Sequence, residues 1–258
     1  MRRLGRALAL LALSFVALQL AFVARIALMA GLDPASTSFE RSEIWRLATQ
    51  RGEVLWSQSW APYARISPHL KRAVIASEDA SFSDHGGVDW EAIERAWERN
   101  QRAEARAERL QSRLEVEQQR RAAAGKPPPS RPVPVAKIVG GSTITQQLAK
   151  NLFLSSERSL ARKGQELAIT FMLEALLDKQ RLLELYLNHV EWGEGVFGAQ
   201  AAARHYFRID AERLSPLQAA RLAVMLPAPK RFEQRPGSAY VAGRAATIVA
   251  RMRDAELP

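Results

Sequence analysis

Cysteine is absent from the 258 residues. This absence excludes a disulfide framework and a thiolate metal site. It is compatible with a location outside the cytoplasm but does not require one. Histidine is also rare. Since His69, His189 and His205 have no partner at metal-ligand spacing, we expect them to be structural or exposed. Alternating strand patterns are scarce as well, and apolar residues recur at helical spacing, so the sequence predicts a mainly α protein.

The excess of basic residues is unevenly placed. The formal net charge is +10 and the isoelectric point is about 10.5. Arg2, Arg3 and Arg6 carry part of the excess, Arg25 carries one charge, and residues 99–137 hold ten Lys and Arg against four Glu. The rest of the chain is neutral. We therefore expect no nucleic-acid recognition module, and the basic segments suit anionic lipid headgroups instead.

An apolar run occupies residues 7–24, and its only strongly polar member is Gln19. At about 1.5 Å per residue the run approaches the roughly 30 Å of a bilayer core. Arginines on the N-terminal side predict a cytoplasmic N-terminus, with everything after residue 31 outside. A cleaved signal peptide is the alternative, but no clear small-x-small cleavage site is present.

The remaining chain has a clear organisation. Residues 1–31 form the n-region and anchor, and residues 32–66 a juxtamembrane segment that is a small hairpin or extended chain. Residues 67–250 form one compact domain of roughly 200 residues, followed by a tail at 251–258. Within the domain, residues 99–137 form a basic insertion: a charged helix with a thin apolar stripe, then a proline-rich stretch that favours extended polyproline conformation.

Helix starts are marked by capping residues. Ser67 is followed by proline at the first helical position, and Ser215 has both proline and a glutamine three residues later. Asp89 and Ser142 are predicted to cap two further helices.

The first polar motif is EDASFSDHGGVD, residues 78–89. Glu78 follows an apolar helical segment, so partial burial would raise its pKa and suit it to act as a general base. A turn through the glycines could bring His85 and Asp89 back as hydrogen-bonding support. The structural alternative is a solvated helix end at Glu78, with Asp89 acting only as a cap.

The second motif is GGSTITQQLAKNLFL, residues 140–154. Its glycines allow close approach to a ligand, and a helix that starts at Ser142 would present free N–H groups suited to a phosphate. Gln146 and Lys150 share a helix face. An ordinary capped amphipathic helix explains the same pattern.

The third motif is RKGQE, residues 162–166, preceded by Arg158. A solvated first turn is the plain interpretation of these charges. However, basic residues at a helix start oppose the helix dipole, a conflict expected where a phosphate supplies negative charge.

Together these motifs closely resemble the peptidoglycan glycosyltransferase family, and residues 179–188 and 191–202 continue the match. The resemblance covers about residues 65–235, although the 99–137 insertion is unusual for the family. It implies that the catalytic residues are Glu78 and Glu166, with Glu166 also the candidate ligand for a divalent cation such as Mg²⁺ or Mn²⁺. The substrate-binding residues that it implies are Asp79, Phe82, His85, Ser142, Gln146, Gln147, Lys150, Arg158, Arg162 and Lys163.

The resemblance also implies a lysozyme-like helical fold and an inverting polymerisation of lipid II that releases undecaprenyl pyrophosphate. No tightly bound cofactor is expected. The expected partners are lipid II, the growing glycan strand, membrane lipids and cell-wall or division proteins, at the bacterial inner membrane with a periplasmic domain. Because the transpeptidase motifs Ser-x-x-Lys and Lys-Thr-Gly are missing, we expect a monofunctional polymerase. A lytic glycan-cleaving enzyme and a non-enzymatic cell-wall scaffold are the alternatives.

Overall fold

The structure, a computed structural model, describes residues 2–125, 127, 135, 140–154, 157 and 159–258. Its helices are α1 (Arg2–Leu28), α2 (Ser38–Arg46), α3 (Pro68–Glu78), α4 (Trp90–Ala123), α5 (Ile144–Phe153), α6 (Leu160–Leu176), α7 (Lys179–His189), α8 (Ala199–Phe207), α9 (Pro216–Met225), α10 (Pro229–Phe232) and α11 (Ala239–Arg251). Its strands are β1 (Ser57–Gln58), β2 (Glu191–Gly193) and β3 (Val196–Phe197). The mainly α prediction is confirmed.

The chain forms two compact units, a main unit (residues 1–88 and 143–258) and an insert unit (residues 89–142). In the main unit α3 packs on α9 and α11, and α5 packs on α6 and α7. Leu70, Leu148 and Leu183 are fully buried between these helices. The small sheet has the order β1–β3–β2, parallel between β1 and β3 and antiparallel between β2 and β3.

Helix α1 is long and apolar enough to cross a membrane. Its first half is exposed, as expected for a segment that faces lipid. Its second half packs on the rest of the main unit. There the ring of Phe22 meets the ring of Phe153 edge-on, with 5.3 Å between the ring centres, and Ile26 is fully buried. The side-chain amides of Gln19 and Gln165 exchange hydrogen bonds of 3.0 and 3.2 Å. The side-chain amide of Gln19, the only strongly polar residue of the apolar run, therefore has hydrogen-bond partners.

The juxtamembrane segment differs from the prediction. Neither a hairpin nor extended chain occupies residues 38–51, which form α2 and a π-helical turn. Thr37 and Glu40 form a capping box that starts α2. The Thr-x-x-Glu spacing of residues 37–40 is the local signal for this helix start, but the interrupted apolar pattern that follows it does not indicate a helix. Glu40 is fully buried and lies 2.8 Å from Nδ1 of His189, so that histidine is structural as predicted.

The predicted helix starts are largely confirmed. Ser67 accepts a hydrogen bond from the backbone of His69 before α3, and Ser215 forms a capping box at α9. Asp89 accepts the Ala92 N–H at 2.7 Å at the start of α4.

Within the insert unit, α4 runs without interruption from Trp90 to Ala123. The expected boundary at residue 99 is therefore not a break in the helix. Ion pairs at i,i+4 spacing, such as Glu98 with Arg102, support its exposed surface. Gly141 lies so close to α4 that an added Cβ would be 3.3 Å from the Cα of Ile93. The proline-rich stretch falls outside the described residues except for Pro127.

Replacing Gly195 with alanine should lower the free energy of unfolding by about 2–4 kcal/mol, because Gly195 has a φ of 72° and an added Cβ would collide with the Leu55 carbonyl oxygen. Gly243→Ala is the matched control, since Gly243 lies inside α11 with open space around it. It should be neutral or slightly stabilising. Thermal unfolding in detergent measures both, and equal stability of the two variants would contradict this account.

Candidate active site

Glu78 ends α3 in a partly buried position. Burial raises the pKa of its carboxyl group above the ordinary value, and the negative charge of Asp79 raises it further. A hydrogen bond of 3.0 Å from Nε2 of Gln147 opposes this shift. The alternative of a solvated helix end is therefore excluded. A carboxylate with a raised pKa, held by one donor, has the properties of a general base.

Asp79 is buried, and both of its carboxylate oxygens have partners. Oδ2 accepts the backbone N–H of Ile144 at 2.9 Å. Oδ1 lies 2.8 Å from Nε2 of His85. Because Nδ1 of His85 accepts the Gly87 N–H at 3.1 Å, the ring proton sits on Nε2 and is donated to Asp79. Asp79 therefore joins the end of α3, the loop after it and the start of α5.

The start of α5 corrects three expectations. The N-cap is Thr143, whose side chain accepts the Gln146 N–H, while Ser142 is exposed one residue earlier. The anion that uses this helix start is the Asp79 carboxylate, so the predicted phosphate site is already filled by the protein. Gln146 is buried with its side chain in the capping box, and it fixes the helix start rather than lining an open site.

Gln147 is held between two residues. Its Nε2 donates to Glu78, and its Oε1 accepts from the hydroxyl of Tyr186 at 3.0 Å. Tyr186 is almost fully buried on α7, and burial raises its pKa well above the ordinary value, so it remains a donor. This donor fixes the Gln147 amide with its NH₂ towards Glu78.

Phe82 also requires a correction. It is fully buried and offers no surface to a substrate. The Lys179 ammonium lies 4.6 Å from the centre of its ring, and the same ammonium donates to the His85 carbonyl oxygen at 2.6 Å and to Glu174 at 2.9 Å. Phe82 and Lys179 therefore support the loop that carries His85.

A group of cations surrounds Glu166, which is buried in the first turns of α6. Arg162 binds one carboxylate oxygen at 2.9 Å and Lys163 binds the other at 2.5 Å. Although Lys150 as a whole is exposed, partial burial of its ammonium lowers its pKa. Glu166 opposes that shift, while Arg162 and Lys163 add to it. We call these four residues the cation cluster; it holds three cations against one carboxylate.

The buried Nε of Arg162 has no hydrogen-bond partner among the described residues. An unused buried donor is costly, and it points to an acceptor that the described residues do not supply. Arg158, the remaining predicted contact of this group, lies outside the described residues.

Glu166 does not fit the role of a divalent-cation ligand in this arrangement. Both of its oxygens are bonded to cationic side chains. Within the described part of the chain, no group of three or more His, Asp or Glu could hold a metal ion. The Glu166 carboxylate instead positions Arg162 and Lys163.

Comparison with known proteins identifies the family. The model of the transglycosylase family matches residues 26–109 and 134–253. The chain belongs to this family. The unmatched residues 110–133 lie inside the predicted insertion, while the three motifs fall within the matched segments.

Relatives agree along nearly the whole length. The chain is 48% identical over 250 residues to the biosynthetic peptidoglycan transglycosylase of Paraburkholderia xenovorans, covering 97% of this chain and 91% of that protein. It is 49% identical over 245 residues to the protein of the same name from Burkholderia thailandensis, covering 95% and 84% respectively. The family predicted from the motifs is confirmed.

Sequence reasoning missed Tyr186 and Lys179, although both lie in a stretch whose resemblance to the family was recognised. The match gives no role to either side chain, and the apolar residues at helical spacing there are typical of a packed structural helix. A tyrosine hydroxyl in an otherwise apolar helix face was the available signal, since a buried hydroxyl needs a partner.

Replacing Gln147 with methionine should shift the rising limb of the transglycosylase pH–rate profile to higher pH. The hydrogen bond from Gln147 lowers the pKa of Glu78, so its loss raises that pKa, and the base becomes ionised only at higher pH. Gln180→Met, an exposed change on α7, is the control and should leave the limb in place. An unmoved limb in an active Gln147→Met enzyme would show that Gln147 does not act on the base.

Proposed function

We propose that this protein polymerises lipid II into glycan strands by inverting glycosyl transfer and releases undecaprenyl pyrophosphate. The observation that carries the proposal is the placement of two chemistries on one helix. Gln147 of α5 binds the base Glu78, and Lys150, three residues later, belongs to the cation cluster. Residues at this spacing have Cβ atoms roughly 5–6 Å apart on one face. The base and the cations therefore meet on a single face of α5.

The base acts on the acceptor sugar. Glu78 takes the proton of the GlcNAc 4-hydroxyl while the hydroxyl oxygen attacks the anomeric carbon of the growing strand. The bond from that carbon to the pyrophosphate oxygen breaks, and the electron pair leaves with the pyrophosphate. A direct displacement needs no glycosyl-enzyme intermediate and inverts the anomeric centre. The raised pKa of Glu78 makes the carboxylate basic enough for this transfer.

The cation cluster stabilises the leaving group. A pyrophosphate bound there supplies the negative charge that the cluster lacks, gives the Arg162 Nε an acceptor, and restores the pKa of Lys150. Preorganised cations of this kind act most strongly where charge develops. Glu166 serves as the positioning residue that holds Arg162 and Lys163. The side chains of the cation cluster therefore supply the electrostatic stabilisation of the leaving group.

The anchor keeps the enzyme at its lipid-linked substrate. We place α1 across the inner membrane with the N-terminus in the cytoplasm and the main unit on the periplasmic side. Leu160, Phe171 and Leu176 on α6, the helix that α1 packs against, are exposed apolar side chains that suit a lipid surface. This placement lets the polyprenyl tail stay in the bilayer while its pyrophosphate reaches the cation cluster.

The alternatives explain fewer features. A lytic enzyme would also use a glutamate, but cations gathered around one carboxylate have no task on a glycan strand without pyrophosphate. A scaffold would need neither the base nor the unused Arg162 donor.

The test incubates full-length enzyme in detergent with labelled lipid II and resolves products by length. Glu78→Gln should reduce polymerisation by about 10²–10⁴-fold, the usual worth of a general base. Glu256→Gln, an exposed change in the tail, is the control and should behave as wild type. Unchanged polymerisation by a folded Glu78→Gln enzyme would contradict the assigned base. Cleavage of preformed glycan without polymer formation would support the lytic alternative.

A further inference from the structure

A second site lies where the anchor meets the main unit. An open pocket of about 290 Å³ is lined at the end of α1 by Arg25, Leu28 and Met29. The segment between α1 and α2, including Leu32, and Arg41 of α2 complete the lining. The residues of the polymerisation site described above do not line it. Ligand sites run from roughly 300 to 1,000 Å³, so the pocket suits a small polar headgroup rather than a whole lipid.

Two arginines give the pocket its charge. The Arg25 guanidinium lies 5.1 Å from the centre of the Phe153 ring, which holds its stem against α5. Arg41 is oriented by hydroxyl groups, with 3.0 Å to Ser36 Oγ and 3.1 Å to Ser38 Oγ. In the described chain neither guanidinium has a carboxylate within 4.0 Å. Both positive charges therefore remain uncompensated.

The acid that lines the pocket does not neutralise these charges. Asp33 pairs with Arg181 at 2.8 Å, and Arg181 also donates to the Met29 and Leu32 carbonyl oxygens. This network closes the end of α1 against α7. The net positive charge of the pocket therefore comes from Arg25 and Arg41.

The walls next to the arginines are apolar and exposed. Leu28 and Leu32 are 60% and 62% exposed, and Pro34 and Ala35 continue the same lining. Exposed leucines beside cations, at the point where an apolar helix ends, match the boundary between hydrocarbon and headgroups. A ligand there meets positive charge on one side and apolar surface on the other.

We propose that this anchor-exit pocket binds the phosphate headgroup of an anionic glycerophospholipid. The phosphate oxygens accept hydrogen bonds from the guanidinium groups of Arg25 and Arg41, since the paired N–H donors of arginine match phosphate oxygens well. The acyl chains lie along Leu28 and Leu32. The lipid fills the space between α1 and the α2 segment and holds the anchor in its docked position. The inference rests on the proposed membrane placement and not on polymerisation.

The test measures retention of phosphatidylglycerol by full-length protein in mild detergent, using native mass spectrometry over a lipid titration. Each arginine at a membrane surface contributes roughly a fivefold change in binding, so Arg25→Gln combined with Arg41→Gln should weaken retention by roughly 25-fold. Ser36→Trp, which fills the pocket but keeps both arginines, should also lose the bound lipid. The control combines Arg244→Gln and Arg251→Gln on α11, two exposed arginines outside the pocket, and should retain lipid as wild type.

Three further ligands separate the sources of phosphate. Phosphatidylcholine has the phosphate but no net charge and should bind more weakly than phosphatidylglycerol. Undecaprenyl phosphate and inorganic phosphate should fail to displace phosphatidylglycerol at equal concentration. Displacement by the carrier lipid or by free phosphate would overturn the assigned ligand, and equal loss in the α11 control would reduce the effect to general surface charge.

Polymerisation is measured on the same samples. Glu78→Gln should keep full lipid retention, so failure of the polymerase proposal leaves this site standing. Wild-type polymerisation without selective lipid retention would overturn the pocket alone.

Discussion

The carboxylate of Asp79 is the contact on which the arrangement of the active site depends. It is buried, accepts the first N–H of α5 on one oxygen, and accepts a hydrogen bond from His85 Nε2 on the other. Such a buried carboxylate is tolerated only because each oxygen is satisfied. The consequence is geometric: α3 ends against the start of α5, and the preceding residue, Glu78, then lies within reach of Gln147. Glu78 is positioned by its neighbour in the chain.

The site holds two carboxylates, Glu78 and Glu166, in opposite electrostatic environments. At Glu78 partial burial raises the pKa of the carboxyl group, and the hydrogen bond from Gln147 offsets only part of that rise. At Glu166 it supplies cations in excess, so that the carboxylate is saturated and positive charge remains. One helix, α5, carries both the donor to Glu78 and a lysine whose charge interacts with Glu166. A proton acceptor and an anion-binding group at this separation suit a displacement in which a hydroxyl loses a proton and a phosphate departs.

The sequence predicted much of this because capping and motif signals are local. Ser67, Asp89 and Ser215 start their helices as expected, since a side-chain oxygen and a nearby N–H decide the matter within a few residues. The prediction failed where two adjacent residues competed. Ser142 and Thr143 are both good caps, and Thr143 is selected because it also donates to the Gly87 carbonyl oxygen, 56 residues away in sequence.

Contacts between distant segments account for the other differences. Phe82 has the appearance of a ligand-binding aromatic, yet burial turns it into support for His85. Tyr186 resembles a core residue, yet its hydroxyl orients Gln147. The helical segment after the anchor escaped notice because its apolar residues follow no clean period, and Glu40 is stabilised by His189, 149 residues away in sequence.

By itself the sequence determined the family, the helical class, the anchor and the identity of the charged groups, because these depend on composition, periodicity and short motifs. Only the tertiary structure decided what each charge does. It assigned the α5 start to Asp79 instead of a phosphate and made Glu166 a holder of cations. Among the described residues it left Arg25 and Arg41, at the end of α1 and in α2, without a carboxylate partner. The physical reason is that a charge acts according to its partners and its burial, and both are set by residues far apart in the chain.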